Sequence, residues 1–158
     1  LTVKLIQDEN VINLEELKLV GFRVLCAEDQ YAKEIPKTSM ILTNRQNEIK
    51  NVINKEIQYG AFIVDTHAES EDGYWVAVAV DKFENIPDGM VTLRIPPQRY
   101  ATATYHGSNK GIFEAYEQLH KWTFEQGFNR LRDKWHLEMY KSWQDQANLE
   151  VELLDTIE

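Results

Sequence analysis

The sequence lacks most of the features that would fix its chemistry quickly. Cys26 is its single cysteine, so no disulfide can close within the chain, which fits a reducing compartment and an expected cytoplasmic location. No apolar run approaches the roughly 20 residues that cross a bilayer; Trp75 to Val80 is among the longest, and no membrane partner is expected. Leu1 to Asn10 has neither a basic start nor an apolar stretch, and is read as carrying no signal peptide. The histidines His67, His106, His120 and His136 have no histidine or cysteine partner at metal-ligand spacing, so no metal is expected. G-x-S-x-G, the phosphate-binding loop and the dinucleotide fingerprint are all missing, which leaves the common acyl-transfer and cofactor classes without support. No cofactor is expected. Basic residues are also scarce: 17 Lys and Arg against 26 Asp and Glu give a formal net charge of −9. They are scattered and form no stripe, so direct nucleic-acid contact is not expected.

What is present is a globular composition, 43% apolar and 27% charged, with the length of a single domain spanning 1–158. One element order occurs twice. Leu19 to Cys26 reads as a strand. Pro36 opens a helical stretch in which Ile41, Ile49, Val52, Ile53 and Ile57 fall roughly at helical spacing, ended by Tyr59–Gly60. Ala61 to Asp65 and Tyr74 to Asp81 then read as strands. After the turn Pro87–Asp88–Gly89, the second half has Met90 to Ile95 and Tyr100 to His106 as strand, bent at Pro96–Pro97. Gly107–Ser108–Asn109 precedes a helix whose Ile112, Tyr116, Leu119 and Thr123 share a face, and Gly127 is its left-handed stop. His136 to Lys141 and Leu149 to Leu154 are the last two strands. A tandem strand–helix–strand–strand repeat follows: an α+β fold, one curved antiparallel sheet with two helices on one face and the other face partly open. A ferredoxin-like arrangement with extra strands is the competing architecture.

Four strings carry a family resemblance. Tyr74-Trp75-Val76-Ala77-Val78-Ala79-Val80, then Ile86-Pro87-Asp88-Gly89-Met90, then Ile95-Pro96-Pro97-Gln98-Arg99-Tyr100-Ala101 resemble the middle of GyrI-like domains, also found as effector-binding domains of bacterial AraC-type and MerR-type regulators. Leu137-Glu138-Met139-Tyr140 resembles that family's strand with a central glutamate, and the likeness runs over about 18–157. It implies the same tandem repeat and a site between the halves on the open face. It also implies a stand-alone protein that binds bulky aromatic, cationic small molecules and so sequesters or senses a drug or toxin. Two alternatives come with it: a hydrolase of strained DNA-alkylating natural products, and a protein-interaction module such as a gyrase inhibitor. About 17 residues precede the resemblance, too few for the DNA-binding domain that accompanies it in regulators.

Alternation along a strand puts His136, Glu138 and Tyr140 on one face, and Leu137 and Met139 on the other, taken as the helix-packed side. A carboxylate among aromatic rings suits a flat organic cation. Glu138 is the central candidate, with Tyr140, His136, Trp75, Tyr100, Tyr105 and His106 as further ligand-binding candidates; Glu138 and Tyr140 would be the catalytic pair of an enzyme.

Overall fold

The computed structural model describes residues 3–158. Its elements are β1 (Ile6–Leu14), β2 (Leu17–Val24), α1 (Tyr31–Arg45), β3 (Gln58–Ile63), β4 (Tyr74–Val80), β5 (Val91–Ile95), β6 (Gln98–Gly107), α2 (Ile112–Glu125), β7 (Trp135–Ser142) and β8 (Leu149–Ile157). The eight strands form one sheet in the order β1-β6-β8-β7-β3-β4-β2-β5, and every ladder is antiparallel. The unit β2-α1-β3-β4 is matched by β6-α2-β7-β8, each flanked by an edge strand, and β3 and β7 pair at the centre.

Chain connectivity forces the sheet to curl. β1 is an outer strand of one half and joins β2 of the other through Glu15–Glu16 alone; β5 joins β6 through Pro96–Pro97 alone. Each link spans three Cα steps, at most about 11 Å, so the two flanks must approach one another. The concave face encloses Leu19, Trp75, Tyr100, Trp135, Leu137 and Leu154 without help from a helix.

Both helices cover the opposite face. Register places Val76, Gly60, Glu138, Leu153 and Ala103 in one row across the sheet. Leu42 of α1 packs with Val76 and Val78 at one end of that row. Ala115 and Leu119 of α2 pack with Ala103 and Leu153 at the other. Glu138 therefore points toward the helices, and Leu137 and Met139 point into the concave core, the reverse of the expected assignment. β4 is buried along its whole length, so its alternation carried no sign of which side was which.

Other boundaries also differ from expectation. α1 begins at Tyr31 and contains Pro36, and Ile49 to Ile57 are not helical apart from the preceding 3₁₀ turn Gln46–Glu48. The isoleucine spacing misled because it ignored the break: Asn51 has φ of 68°, and Val52 bridges to Val80. Tyr59–Gly60 lies inside β3. Val91–Ile95 is an edge strand of the first half, paired with β2. β1 was not foreseen, because its sequence IQDENVINL is mostly polar and only Ile6 is buried. The stop of α2 forms, with Gly127 at a φ of 81°, but the expected cap does not fall on α2: Ser108 caps the 3₁₀ turn Asn109–Gly111 before it, Oγ accepting from the Lys110 N–H at 3.1 Å, and the N-cap of α2 itself is Gly111.

The concave core is a load on stability that no helix shares. Leu137→Ala, at a fully buried position, is expected to lower unfolding stability by about 2–4 kcal/mol. Phe124→Ala, 81% exposed on α2, is expected to change it by less than about 0.5 kcal/mol. Urea unfolding curves of the two variants check this difference.

Candidate functional site

Glu138 sits mid-strand in β7 and is 6% exposed. Tyr74 and Tyr140 donate to its Oε1, the latter at 3.2 Å, and Tyr116 of α2 donates to Oε2 at 2.5 Å. Among the described residues no Lys, Arg or His forms an ion pair with it. A buried charge without an opposite charge costs several kcal/mol, and hydrogen bonds to a charged group each return about 1.5–3 kcal/mol. Three phenols thus hold the carboxylate in place of a cation. A carboxylate has about four acceptor positions, so one stays open.

Gly60 makes this packing fit. It pairs with Glu138 across β3 and β7, and a Cβ there would overlap the Tyr74 hydroxyl and stand 3.1 Å from Glu138 Oε1. The missing side chain is the space that Tyr74 uses to reach the carboxylate. Burial, and then the nearby Glu138 charge, push the phenols of Tyr74, Tyr116 and Tyr140 well above the ordinary range. They remain protonated donors at neutral pH.

Above this floor lies a cleft of about 580 Å³ between the two helices, within the size range of sites for drug-sized ligands. Tyr31, Ile35 and Pro36 of α1 form one wall, and Ile112, Phe113 and Tyr116 of α2 the other. Phe62 lies deeper, stacked on Tyr74 at 5.9 Å and on His136 at 5.7 Å, with Tyr116 edge-on at 6.5 Å. Glu28, Asp72 and Glu138 are the charged groups lining it, all acidic. No serine, threonine, cysteine or histidine lines it among the described residues. A larger groove of about 980 Å³ beside Thr43, Asn54 and Trp143 is lined mostly by polar side chains, with Trp143 its one aromatic lining residue.

Of the residues singled out from sequence, Glu138 and Tyr140 line the cleft. His136 does not: it is 1% exposed behind Phe62, with Nδ1 3.0 Å from Asp155 Oδ1. Burial opposes the Asp155 charge, but the His136 contact and the Arg130 hydrogen bond outweigh it and hold its pKa below the ordinary value. Trp75 and Tyr100 belong to the concave core, because their parity is that of Leu137. There Trp75 meets Trp135 edge-on at 5.2 Å, and burial raises the Tyr100 phenol to about 12. Tyr105 is on the helix side but is used structurally, donating to the Ser108 carbonyl at 2.6 Å to close the loop into α2. His106 is exposed at the end of β6.

Residues that sequence reasoning left out of the site are Tyr116, Phe62 and Tyr31. Tyr116 was placed on the packing face of its helix, which is correct but incomplete, since its ring packs while its hydroxyl reaches the carboxylate. A glycine inside an apolar strand at position 60 was the available signal for a close approach.

The fold and the cleft define an effector-binding domain. The chain belongs to the family of integron-associated effector binding proteins, Cass2, whose sequence model matches residues 10–154. Similar solved structures share this fold at low identity. SAV2435 bound to tetraphenylphosphonium has a TM-score of 0.71 at 15% identity, over 96% of this chain and 94% of that one. The EcmrR–DNA complex gives 0.67 at 19% identity, and its matched region takes in 99% of this chain but only 59% of the EcmrR chain. The integron cassette protein VCH_CASS2 of Vibrio cholerae gives 0.57 at 13% identity, with 98% of each chain covered. No curated protein matches the chain. The GyrI-like resemblance carried by the sequence agrees with this family and these folds.

The raised phenols give a pH signature. The folded chain keeps protons that the unfolded chain releases above about pH 10, so their contribution to stability is present below pH 10 and is lost as pH rises through the folded values. Absorbance near 295 nm at pH 11 is expected to show fewer ionised tyrosines in the folded protein than in urea. Tyr116→Phe should leave the folded step unchanged and shrink the unfolded step by one tyrosine; a folded step that shrinks would mean the phenol titrates freely.

Proposed function

We propose that this protein binds bulky aromatic organic cations in the cleft between α1 and α2, with Glu138 as the counter-charge, and that it acts by sequestering or sensing them. The observation that carries this reading is a buried carboxylate with three neutral donors, no ionic partner and a cleft lined by rings. Desolvated aromatic faces attract cations by about 2 kcal/mol or more, and a cation entering the cleft supplies the opposite charge the carboxylate lacks. The acidic rim at Glu28 and Asp72 repels anions and biases entry toward cations. The tetraphenylphosphonium in the SAV2435 structure is a ligand of this chemical kind in a related fold.

Hydrolysis finds less support. Three of the acceptor positions of Glu138 are occupied by phenols, which leaves a single position for a water, and Tyr140 is itself committed to the carboxylate instead of to a leaving group.

Glu138→Gln keeps the shape of the floor and removes its charge. It is expected to weaken a cationic aromatic dye by about 1.5–3 kcal/mol, a roughly ten- to hundredfold rise in Kd, and to leave a neutral dye of the same outline nearly unchanged. Fluorescence titration of matched dyes checks it. Equal losses for both would show that the side chain acts through shape, and no loss for either would place the site elsewhere.

A further inference from the structure

Tyr31, Ile35, Ser39 and Thr43 recur at every fourth position of α1 and so form a stripe along one side of it. Tyr31 and Ile35 line the cleft of about 580 Å³. Ile35 and Ser39 line a small pocket of about 30 Å³, room for little more than a water. Thr43 lines the polar groove of about 980 Å³. The three spaces therefore follow one another along α1, over about 18 Å of helix. The facing strand and its turn repeat the order: Tyr140 lines both the cleft and the small pocket, and Trp143 lines both the small pocket and the groove.

Trp143 closes this passage. Its indole N–H donates to Thr43 Oγ1 at 2.9 Å, so the ring reaches from the turn between β7 and β8 to the last turn of α1. The Thr43 hydroxyl also donates to the Ser39 carbonyl at 2.8 Å and accepts from Gln58 Nε2 at 3.4 Å. With the indole, its one donor and two acceptor positions are all used. The turn behind the ring is braced as well: Asp145 Oδ1 accepts from the Ala147 N–H at 2.9 Å, and Gln146 Nε2 donates to the Trp143 carbonyl at 3.0 Å. Trp143 is half-buried and belongs to none of the apolar clusters on either face of the sheet. Its ring is a partition between two cavities and not part of the core packing.

We propose that Trp143 is the specificity-determining back wall of the cation cleft: it stops a ligand at Tyr140 and selects compact cations over those with an arm that reaches toward the groove. This rests on the cation-binding reading above and names which cations fit. An arm entering the small pocket meets the indole, and overfilling a packed site is penalised.

The test uses the whole chain and two centrally charged probes, tetraphenylphosphonium and tetra(4-tolyl)phosphonium, titrated by calorimetry at pH 7. The four arms of each probe are equal, so no orientation turns all of them away from the small pocket. Wild type is expected to bind the phenyl probe about tenfold more tightly than the tolyl probe. Trp143→Ala is expected to cut that ratio to below about threefold, with the Kd of the phenyl probe itself changed by less than about threefold. Trp143→Phe keeps a ring in the turn, loses the bond to Thr43 and part of the bulk, and should give a ratio between the two; it decides the matter alone if circular dichroism shows that Trp143→Ala does not fold. A ratio unchanged from wild type in the folded variants, or no preference in wild type, would overturn this inference while leaving cation binding intact. Failure of wild type to bind either probe would overturn the cation-binding reading and this inference with it.

Discussion

A carboxylate removed from water without a cation has to be held by neutral donors or be expelled, and the helix side of this sheet is organised around that demand. Tyr74 reaches Glu138 from β4 across a gap left by Gly60, Tyr116 reaches it from α2, and Tyr140 from two residues along its own strand. Each hydroxyl comes from a different part of the chain, so the carboxylate ties both halves of the repeat to one point. The rings carrying those hydroxyls, with Phe62 stacked among them, make the floor apolar around a single negative charge. A desolvated charge in a ring-lined cleft is poised for an opposite charge that is itself flat and poorly hydrated.

The two walls of the cleft differ in how firmly they are held. α2 buries Ala115, Leu119 and Thr123 against the sheet, whereas α1 buries only Ser39 and Leu42 along fifteen residues. Segments with few buried apolar contacts open at lower free-energy cost, so α1, with one apolar residue fully buried against two in α2, is the wall expected to open at the lower cost. Its Pro36 weakens the same half of the helix that faces the cleft. Behind both walls the concave core is self-contained, because the two-residue links Glu15–Glu16 and Pro96–Pro97 draw the flanks of the sheet together.

Much of this was legible in the sequence and some was not, for physical reasons. The repeat showed because turns and strand alternation are local signals, and Glu138 stood out because a charge flanked by Leu137 and Met139 in an apolar strand is unusual. The side on which Glu138 faces was hidden: when both faces of a sheet are buried, as along Tyr74 to Val80, periodicity gives parity but not direction. Trp75 and Tyr100 were drawn into the site for that reason, since aromatic character was visible and the curl that encloses them was not. The curl depends on strand order, which no local pattern encodes. His136 shares parity with Glu138 yet lies behind Phe62, a distinction made by packing alone. Tyr116 escaped because a helix residue can pack with its ring and bind with its hydroxyl, and helical spacing reports only the first.

The central claim is that the phenol-held carboxylate is where an organic cation is neutralised. A crystal structure of the protein with a rigid aromatic cation bearing one bromine, located by its anomalous signal, tests this most directly. The account predicts the ligand between α1 and α2, with its positive centre within about 6 Å of the ring faces of Phe62 and Tyr116 and turned toward Glu138. A ligand seated instead in the polar groove beside Thr43 and Trp143, or in the same cleft with its positive centre facing solvent, would contradict it.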